Sequence, residues 1–408
     1  MVSRREFLVA GAALAASFAR ADGEQLPPVR AITRGPRFHW FGYYDKLQFD
    51  PTNRYALGME VDFEHRSPRP DDTIRIGMVD LEDNDRWIDL GQSGAWCWQQ
   101  GCMLQWLPGS KTEVIYNDRE GDHPVARILN VKTGRKRTLP GPIYCVSPDA
   151  RWAMACDFAR LQHQRPGYGY AFPDPYKDVP APKESGIWRM NLATGKRDLV
   201  ITIEQVSKIP YKLGEWGGDS IHRFNHLLFS PSGHRFIFLH RRTRGNNKEA
   251  GITRMFTARP DGTDLYVVDP YGDTSHFIWR DDQHIAAWAN HPSHGRAFYL
   301  FRDKSEQVEL IDRENMPVNG HNTYLPGNRW ILNDTYPDAA RLQHPYLYDT
   351  RTRQRHPLGH FLSPREYTGE WRCDTHPRFS PNGRMVCIDS PHNGGRQLYL
   401  IDISGIVG

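Results

Sequence analysis

Thr375-His376-Pro377-Arg378-Phe379-Ser380-Pro381-Asn382-Gly383-Arg384-Met385-Val386-Cys387-Ile388 is one copy of a pattern that recurs along the chain. It reads as a histidine, a short apolar run, a Ser-Pro turn and a strand. Proline fixes φ, glycine supplies a positive φ, and the residues after the turn pack well on a pleated surface. Three further copies are Asn225-His226-Leu227-Leu228-Phe229-Ser230-Pro231, Ser275-His276-Phe277-Ile278-Trp279-Arg280-Asp281 and Gly320-His321-Asn322-Thr323-Tyr324-Leu325-Pro326. In each, the histidine stands five residues before the Pro or Asp that opens the turn, and the intervals between histidines are 50, 45 and 55 residues.

Three more turn-and-strand units precede these four. Asp50-Pro51-Thr52-Asn53 leads to Tyr55–Met59, Leu107-Pro108-Gly109-Ser110 to Glu113–Tyr116, and Ser147-Pro148-Asp149-Ala150 to Trp152–Met154. Units continue into a second hairpin, as in Ile128–Gly134, Ile187–Gly195 and Tyr346–Thr352. Seven units of four strands at a period near 50 residues predict an all-β, seven-bladed β-propeller. The last unit ends after its third strand, Leu398–Asp402, so Val29–Ile32 is expected to supply the fourth and close the ring. A two-sheet sandwich is the competing fold, but it does not predict an even sevenfold period.

The first 21 residues read as an address. Ser3-Arg4-Arg5-Glu6-Phe7-Leu8 is a twin-arginine pattern, an apolar stretch runs from Phe7 to Ala19, and Ala19-Arg20-Ala21 has the form of a signal-peptidase site. The expectation is a periplasmic or secreted protein, with residues 22–408 forming one propeller domain. Cleavage removes Arg4, Arg5, Arg20 and Glu6 and takes the net charge from +4 to +2. That gives no bulk electrostatic case for nucleic acid. No apolar run after residue 21 is long enough to span a membrane. None of the six cysteines forms a C-x-x-C pair; Cys145 with Cys156, and Cys373 with Cys387, are candidates for cross-strand bonds, and buried free thiols are at least as good a reading.

In a propeller the loops entering the inner strands and leaving the second strands open on one face. His226, His276, His321 and His376 are therefore expected to meet beside the axis. A lone histidine on an inner strand is usually structural, but four at one register point to a shared pocket, and neutral imidazole is the commonest protein metal ligand. Asp374, two residues before His376, falls on the same side of its strand and joins them as a candidate ligand. The same mouth would hold Asn117-Asp118-Arg119-Glu120, His240-Arg241-Arg242, Asn333-Asp334 and Gln99-Gln100, together with His39 and Tyr43-Tyr44 from the first unit. Arg119, Asn117, Gln100 and Asn333 are candidate substrate contacts, although such polar runs also serve as plain turn formers. The Pro-rich insertion from Gly167 to Lys183 is either a lid or decoration. A pocket of His, Arg, Asn, Asp and Tyr suits a hydroxylated, acidic ligand such as a uronic-acid sugar.

Blades four to seven resemble the oligogalacturonate lyases, a family of seven-bladed propellers. The pieces that match are His226-x-x-Phe229-Ser230-Pro231 leading to His240, Ser275-His276-Phe277-x-Trp279, His321 before its turn, and His376-Pro377-x-Phe379-Ser380-Pro381. The resemblance implies a divalent metal, manganese first and zinc or calcium as alternatives, held by His276 and His376, with His321 and Asp374 beside them. It implies His240 as the general base, with His226 behind it. Two departures stand out: the family's His-Glu-Gly is His240-Arg241-Arg242 here, and Asp374 stands where a Gln or His is expected. Lyases of ulvan and of rhamnosyl-glucuronate linkages have a similar architecture. The implied reaction is β-elimination at a 4-linked uronate of an oligo- or polysaccharide. The metal and Arg241 or Arg119 would neutralise the carboxylate, and Tyr44 or His39 would act as acid. The alternative is a periplasmic sugar-binding or scaffold propeller without chemistry.

Overall fold

The computed structural model describes residues 24–214, 220–244 and 247–408. The expected twin-arginine leader, residues 1–21, lies outside the described residues. Among these, the strands form seven four-stranded antiparallel sheets arranged as a seven-bladed propeller. The inner strands are Phe38–Trp40, Gln105–Trp106, Cys145–Val146, His222–Phe229, Phe277–Trp279, Thr323–Tyr324 and Arg378–Phe379. Blade seven is completed by the amino-terminal strand Val29–Ala31, which pairs with Gln397–Asp402 in the register Val29 to Ile401 and Ala31 to Tyr399.

The Ser-Pro turns fold for a local reason. The hydroxyls of Ser147, Ser230 and Ser380 accept hydrogen bonds from the amides of Trp152, Arg235 and Met385 at 2.9, 3.3 and 3.0 Å. Each turn then places Ala150, Gly233 or Gly383 at positive φ. The second strand that follows is apolar on both faces: Ala153 and Met154, Phe236 to Leu239, and Val386 to Ile388 are all buried. A strand covered on both sides needs such a run. The core is therefore a ring of layers between neighbouring sheets.

Two features were not anticipated. Leu342–Gln343 pairs with Phe361–Leu362 as a small extra sheet beside blade six. The insertion in blade three is longer than the expected Gly167–Lys183: it fills the interval between the strands Trp152–Ala155 and Gly186–Asn191, and it carries a short helix, Phe158–Gln164, capped by Asp157, which accepts from the Arg160 amide at 3.0 Å. All six cysteines are free and buried; Cys145 lies opposite Met154, one of the reasons it does not reach Cys156.

Candidate active site

The structure brings the four histidines together. Ring centroids of His276 and His321 are 4.1 Å apart, and those of His321 and His376 are 4.2 Å apart. His226 joins through Tyr43, whose ring lies 4.9 Å from His226 and 5.2 Å from His376. His226 and His376 adopt φ of +50° and +39°, a region sparsely populated by residues other than glycine. At His226 the strand register slips between Asn225 and Leu228, a bulge that re-aims the imidazole.

Tyr43 arrives on a segment that leaves the inner strand of blade one and fills the floor of the channel. The Asp389 carboxylate accepts from the amides of Phe41 and Gly42 at 3.2 and 3.1 Å and anchors it. Gly42 has φ +103°, and a Cβ there would sit 2.9 Å from the Gln100 backbone, so only glycine fits. Tyr44 touches His226, His276 and His321. Its hydroxyl, however, donates to Phe277 O at 2.8 Å and accepts from Phe277 N at 3.1 Å. The expected acid is thus occupied as a structural clip. Below it, buried Asp45 lies 3.1 Å from Lys46 Nζ and 3.4 Å from His226 Nε2. Burial alone would raise the Asp45 carboxyl, but Lys46 and His226 hold it down to about 2. Burial lowers His226 to about 4, so it is neutral at pH 7.

The remaining three imidazoles present lone pairs. His321 Nδ1 donates to Asp334 at 2.9 Å, which fixes the tautomer and leaves Nε2 as an acceptor, buried and without a partner. Asp334 also accepts from the His321 amide at 2.7 Å and from Thr375 Oγ1 at 2.6 Å. His276 Nδ1 donates to Asn319 Oδ1 at 3.0 Å, and its Nε2 faces Tyr336 Oη at 3.4 Å. His376 Nε2 is likewise buried and unpartnered, 3.9 Å from Asp374 Oδ2. Burial, then the charge of His321, keeps both His276 and His376 well below the ordinary histidine range. Ligand atoms of His321, Asp374 and His376 all lie within 4.8 Å of one another. Two orphaned imidazole nitrogens beside one carboxylate fit a divalent metal ion.

Above this cluster the walls are cationic and phenolic. Arg372 Nε donates to Asp374 at 2.7 Å, and its guanidinium also donates to Tyr168 Oη. The same guanidinium lies 5.5 Å from the Tyr168 ring and 6.0 Å from the Tyr336 ring. Burial alone would raise the Tyr168 phenol, yet Arg372 and Arg165 bring it below its ordinary value. Burial, reinforced by Asp374, pushes Tyr336 the other way. Tyr168 belongs to the blade-three insertion, which is tied across the mouth. Gly167 O accepts from the Gln99 amide at 3.0 Å, and Gln162 Nε2 donates to Glu370 at 3.1 Å. The insertion is part of the site's wall.

The chain is similar in fold to oligogalacturonate lyase. The enzyme of that name from Vibrio parahaemolyticus superposes with a TM-score of 0.65 at 14% identity, covering 92% of this chain and 93% of that one. An oligogalacturonate lyase in complex with manganese gives the same TM-score, identity and coverage. No protein-family model and no curated protein sequence matches the chain.

Several residues expected at the mouth lie elsewhere. His240 points into the layer between blades: its Nε2 is 2.9 Å from His222 Nδ1, its Nδ1 is 3.2 Å from Arg254, and it packs on Phe224 and Phe256. Its neighbour Arg241 takes the opposite face of the strand and reaches Asn225 Oδ1 at 2.8 Å. His39 sits between Gln397 Oε1 at 2.9 Å and Glu60 at 3.1 Å, edge-on to Trp87, with none of the four histidines among its partners. Arg119 lies on Phe172 and donates to Ala171 O at 2.8 Å, so it holds the insertion rather than the channel. Asn117 clips blade two to blade three through Ile143 N and O, both at 2.7 Å. Gln100 donates to Tyr144 Oη at 2.7 Å, and Asn333 to Tyr346 Oη at 2.6 Å. Conversely, Tyr168, Tyr336, Arg372 and Arg223 were given no role by the sequence, and Asp334, expected at the mouth beside Asn333, was given none of its own. For Asp334 the available signal was strand parity, one residue on from Asn333.

Proposed function

We propose that residues 22–408 form a single exported catalytic domain, a carbon–oxygen lyase that cleaves a 4-linked uronate glycoside by metal-assisted β-elimination. The supporting observation is the pair of buried, unpartnered Nε2 atoms of His321 and His376 beside Asp374. Lone pairs desolvated in this way destabilise the fold unless a cation completes them. His321, His376 and Asp374, with His276 adjoining, would hold the ion. Two imidazoles and a carboxylate suit manganese or zinc better than calcium, which takes oxygen ligands. Manganese agrees with the similar fold described in complex with that ion. When bound, the ion supplies the positive charge that neutralises the substrate carboxylate and makes the C5 proton acidic.

The chain's own residues perform the rest. Arg241 meets the carboxylate with a bidentate fork. His240 is remote and His226 is held by Asp45, so the base is assigned to Tyr168, whose phenol Arg372 renders more acidic. Tyr336, kept protonated, is the acid. Two like groups with environments that push them apart divide acid from base work. The C5–H bond breaks towards Tyr168, the C4–C5 double bond forms, and the C4–O4 bond breaks with O4 taking the Tyr336 proton. The test is ultraviolet detection of unsaturated product from pectic, ulvan and arabinogalactan fragments, alongside elemental analysis. Product formation lost on chelation and in His376→Ala is expected. Absence of product from every fragment with manganese-loaded protein overturns the lyase reading and leaves a sugar-binding propeller.

A further inference from the structure

The chamber holds more positive charge than one carboxylate requires. Arg223, on the inner strand of blade four, is 3% exposed, and its Nε and Nη1 are buried without a hydrogen-bond partner. Directly across the strand pair from it stands Arg241, whose hydrogen bond goes to the uncharged Asn225. Like charges opposed in a sheet repel. A third guanidinium, that of Arg165 at the carboxyl end of the insertion helix, adds to the repulsion felt by both. Arg165 lies 5.5 Å from the Tyr168 ring. Among the described residues no carboxylate forms an ion pair with any of the three. Burial and then Arg241 and Arg165 push Arg223 down to about 9, which leaves it cationic at neutral pH.

Three other buried arginines, Arg160, Arg378 and Arg396, are completed by the fold. Arg160 donates to four backbone carbonyl oxygens, those of His222, Tyr176, Val179 and Pro180. Arg378 pairs with Asp389 at 2.7 Å and Arg396 with Glu64 at 2.8 Å. An unpaired buried guanidinium is among the most unfavourable groups a fold can carry, and here it adjoins two more. Planar guanidiniums match the oxygens of carboxylates and sulfates.

We infer that Arg223 and Arg165 form an oxyanion subsite that takes a second acidic group of the saccharide, beside the Arg241 fork that meets the first carboxylate. The substrate class is then a doubly acidic one, with a carboxylate or a sulfate ester near the cleaved uronate. The inference rests on the reading of the site as one for acidic saccharides, and the insertion contributes Arg165 to it.

The test titrates manganese-loaded protein with sodium sulfate, sodium acetate and digalacturonate by calorimetry, and follows Tm in parallel. Wild type should bind at least one simple anion and gain Tm from it. Arg223→Gln should weaken anion and digalacturonate binding by roughly tenfold or more, raise the ligand-free Tm, and retain manganese. Arg165→Gln, on the insertion, should show the same loss and guards against a folding defect in the first variant. Tighter binding of sulfate than of acetate assigns a sulfate ester, the reverse a second carboxylate; either supports the subsite. Unchanged affinities in both variants, or binding of neither anion by wild type, overturn it. Failure of the lyase reading looks different: no ultraviolet product from wild type, with anion binding still dependent on Arg223.

Discussion

Arg396 and Arg223 are almost equally buried, at 1% and 3% exposure, and live in opposite circumstances. Arg396 lies between blades, with Glu64 at 2.8 Å, the Trp371 carbonyl at 2.7 Å and the Trp98 ring beneath it at 4.4 Å. Arg223 lies on an inner strand, with Nε and Nη1 buried and without a hydrogen-bond partner among the described residues. The histidines divide in the same way. His240 is bonded through both ring nitrogens in the layer between sheets, while His321 and His376 each leave Nε2 open at the axis. Where polar groups are completed internally they hold the blades together; where they are left incomplete, the fold has conceded stability to recognition.

The sharpest way to break this contrast is at His376. His376→Ala should abolish manganese retention and formation of unsaturated product while leaving Tm unchanged or raised; a large fall in Tm would class it with the structural histidines. The mirror experiment is Arg396→Met, which strands Glu64. It should destabilise the fold by about 3–5 kcal/mol in denaturant titrations, with specific activity of the folded fraction retained. Asp334→Asn keeps the shape around His321 but weakens the acceptor that fixes its tautomer, so manganese affinity should drop about 10–100-fold, read by competition with a chelator. The gentlest probe is pH. Burial lowers His222 to about 4 and takes His240 well below its ordinary value. The unfolded chain therefore binds more protons than the native one between the ordinary histidine pKa near 6.5 and those depressed values. Stability is fully present above that upper limit and falls with acidification through the window, by up to about 1.4 kcal/mol per pH unit for each imidazole. Replacement of His222 by Gln should flatten the slope; an unchanged slope would place the proton uptake elsewhere.

Periodicity carried the architecture. The Ser-Pro turns repeat because each uses the same hydroxyl-to-amide clip, so counting them counts blades, and the register of His226, His276, His321 and His376 translated directly into a meeting at the axis. What did not translate was the parity of the second strands. His240 and Arg241, like Asn333 and Asp334, are adjacent in sequence and face opposite ways, and nothing local says which face looks on the channel. Also hidden was the detour of blade one. Lys46 stands five residues before Pro51, in the register of the four histidines, yet its segment bends inward and carries Tyr43, Tyr44 and Asp45 to the floor of the site. The insertion was ambiguous for a different reason: its role depends on Tyr168 meeting Arg372 from blade seven, a contact spanning more than two hundred residues.

The seam in blade seven makes closure a long-range event. Val29–Ala31 finds its hydrogen-bonding partner in Gln397–Asp402, across almost the whole described chain. The other six blades are each woven from strands near one another in sequence, whereas blade seven is finished only when these two distant segments meet. His376 and Asp374 lie in that same blade, so the ligand cluster shares its sheet with the latch that holds the circle shut.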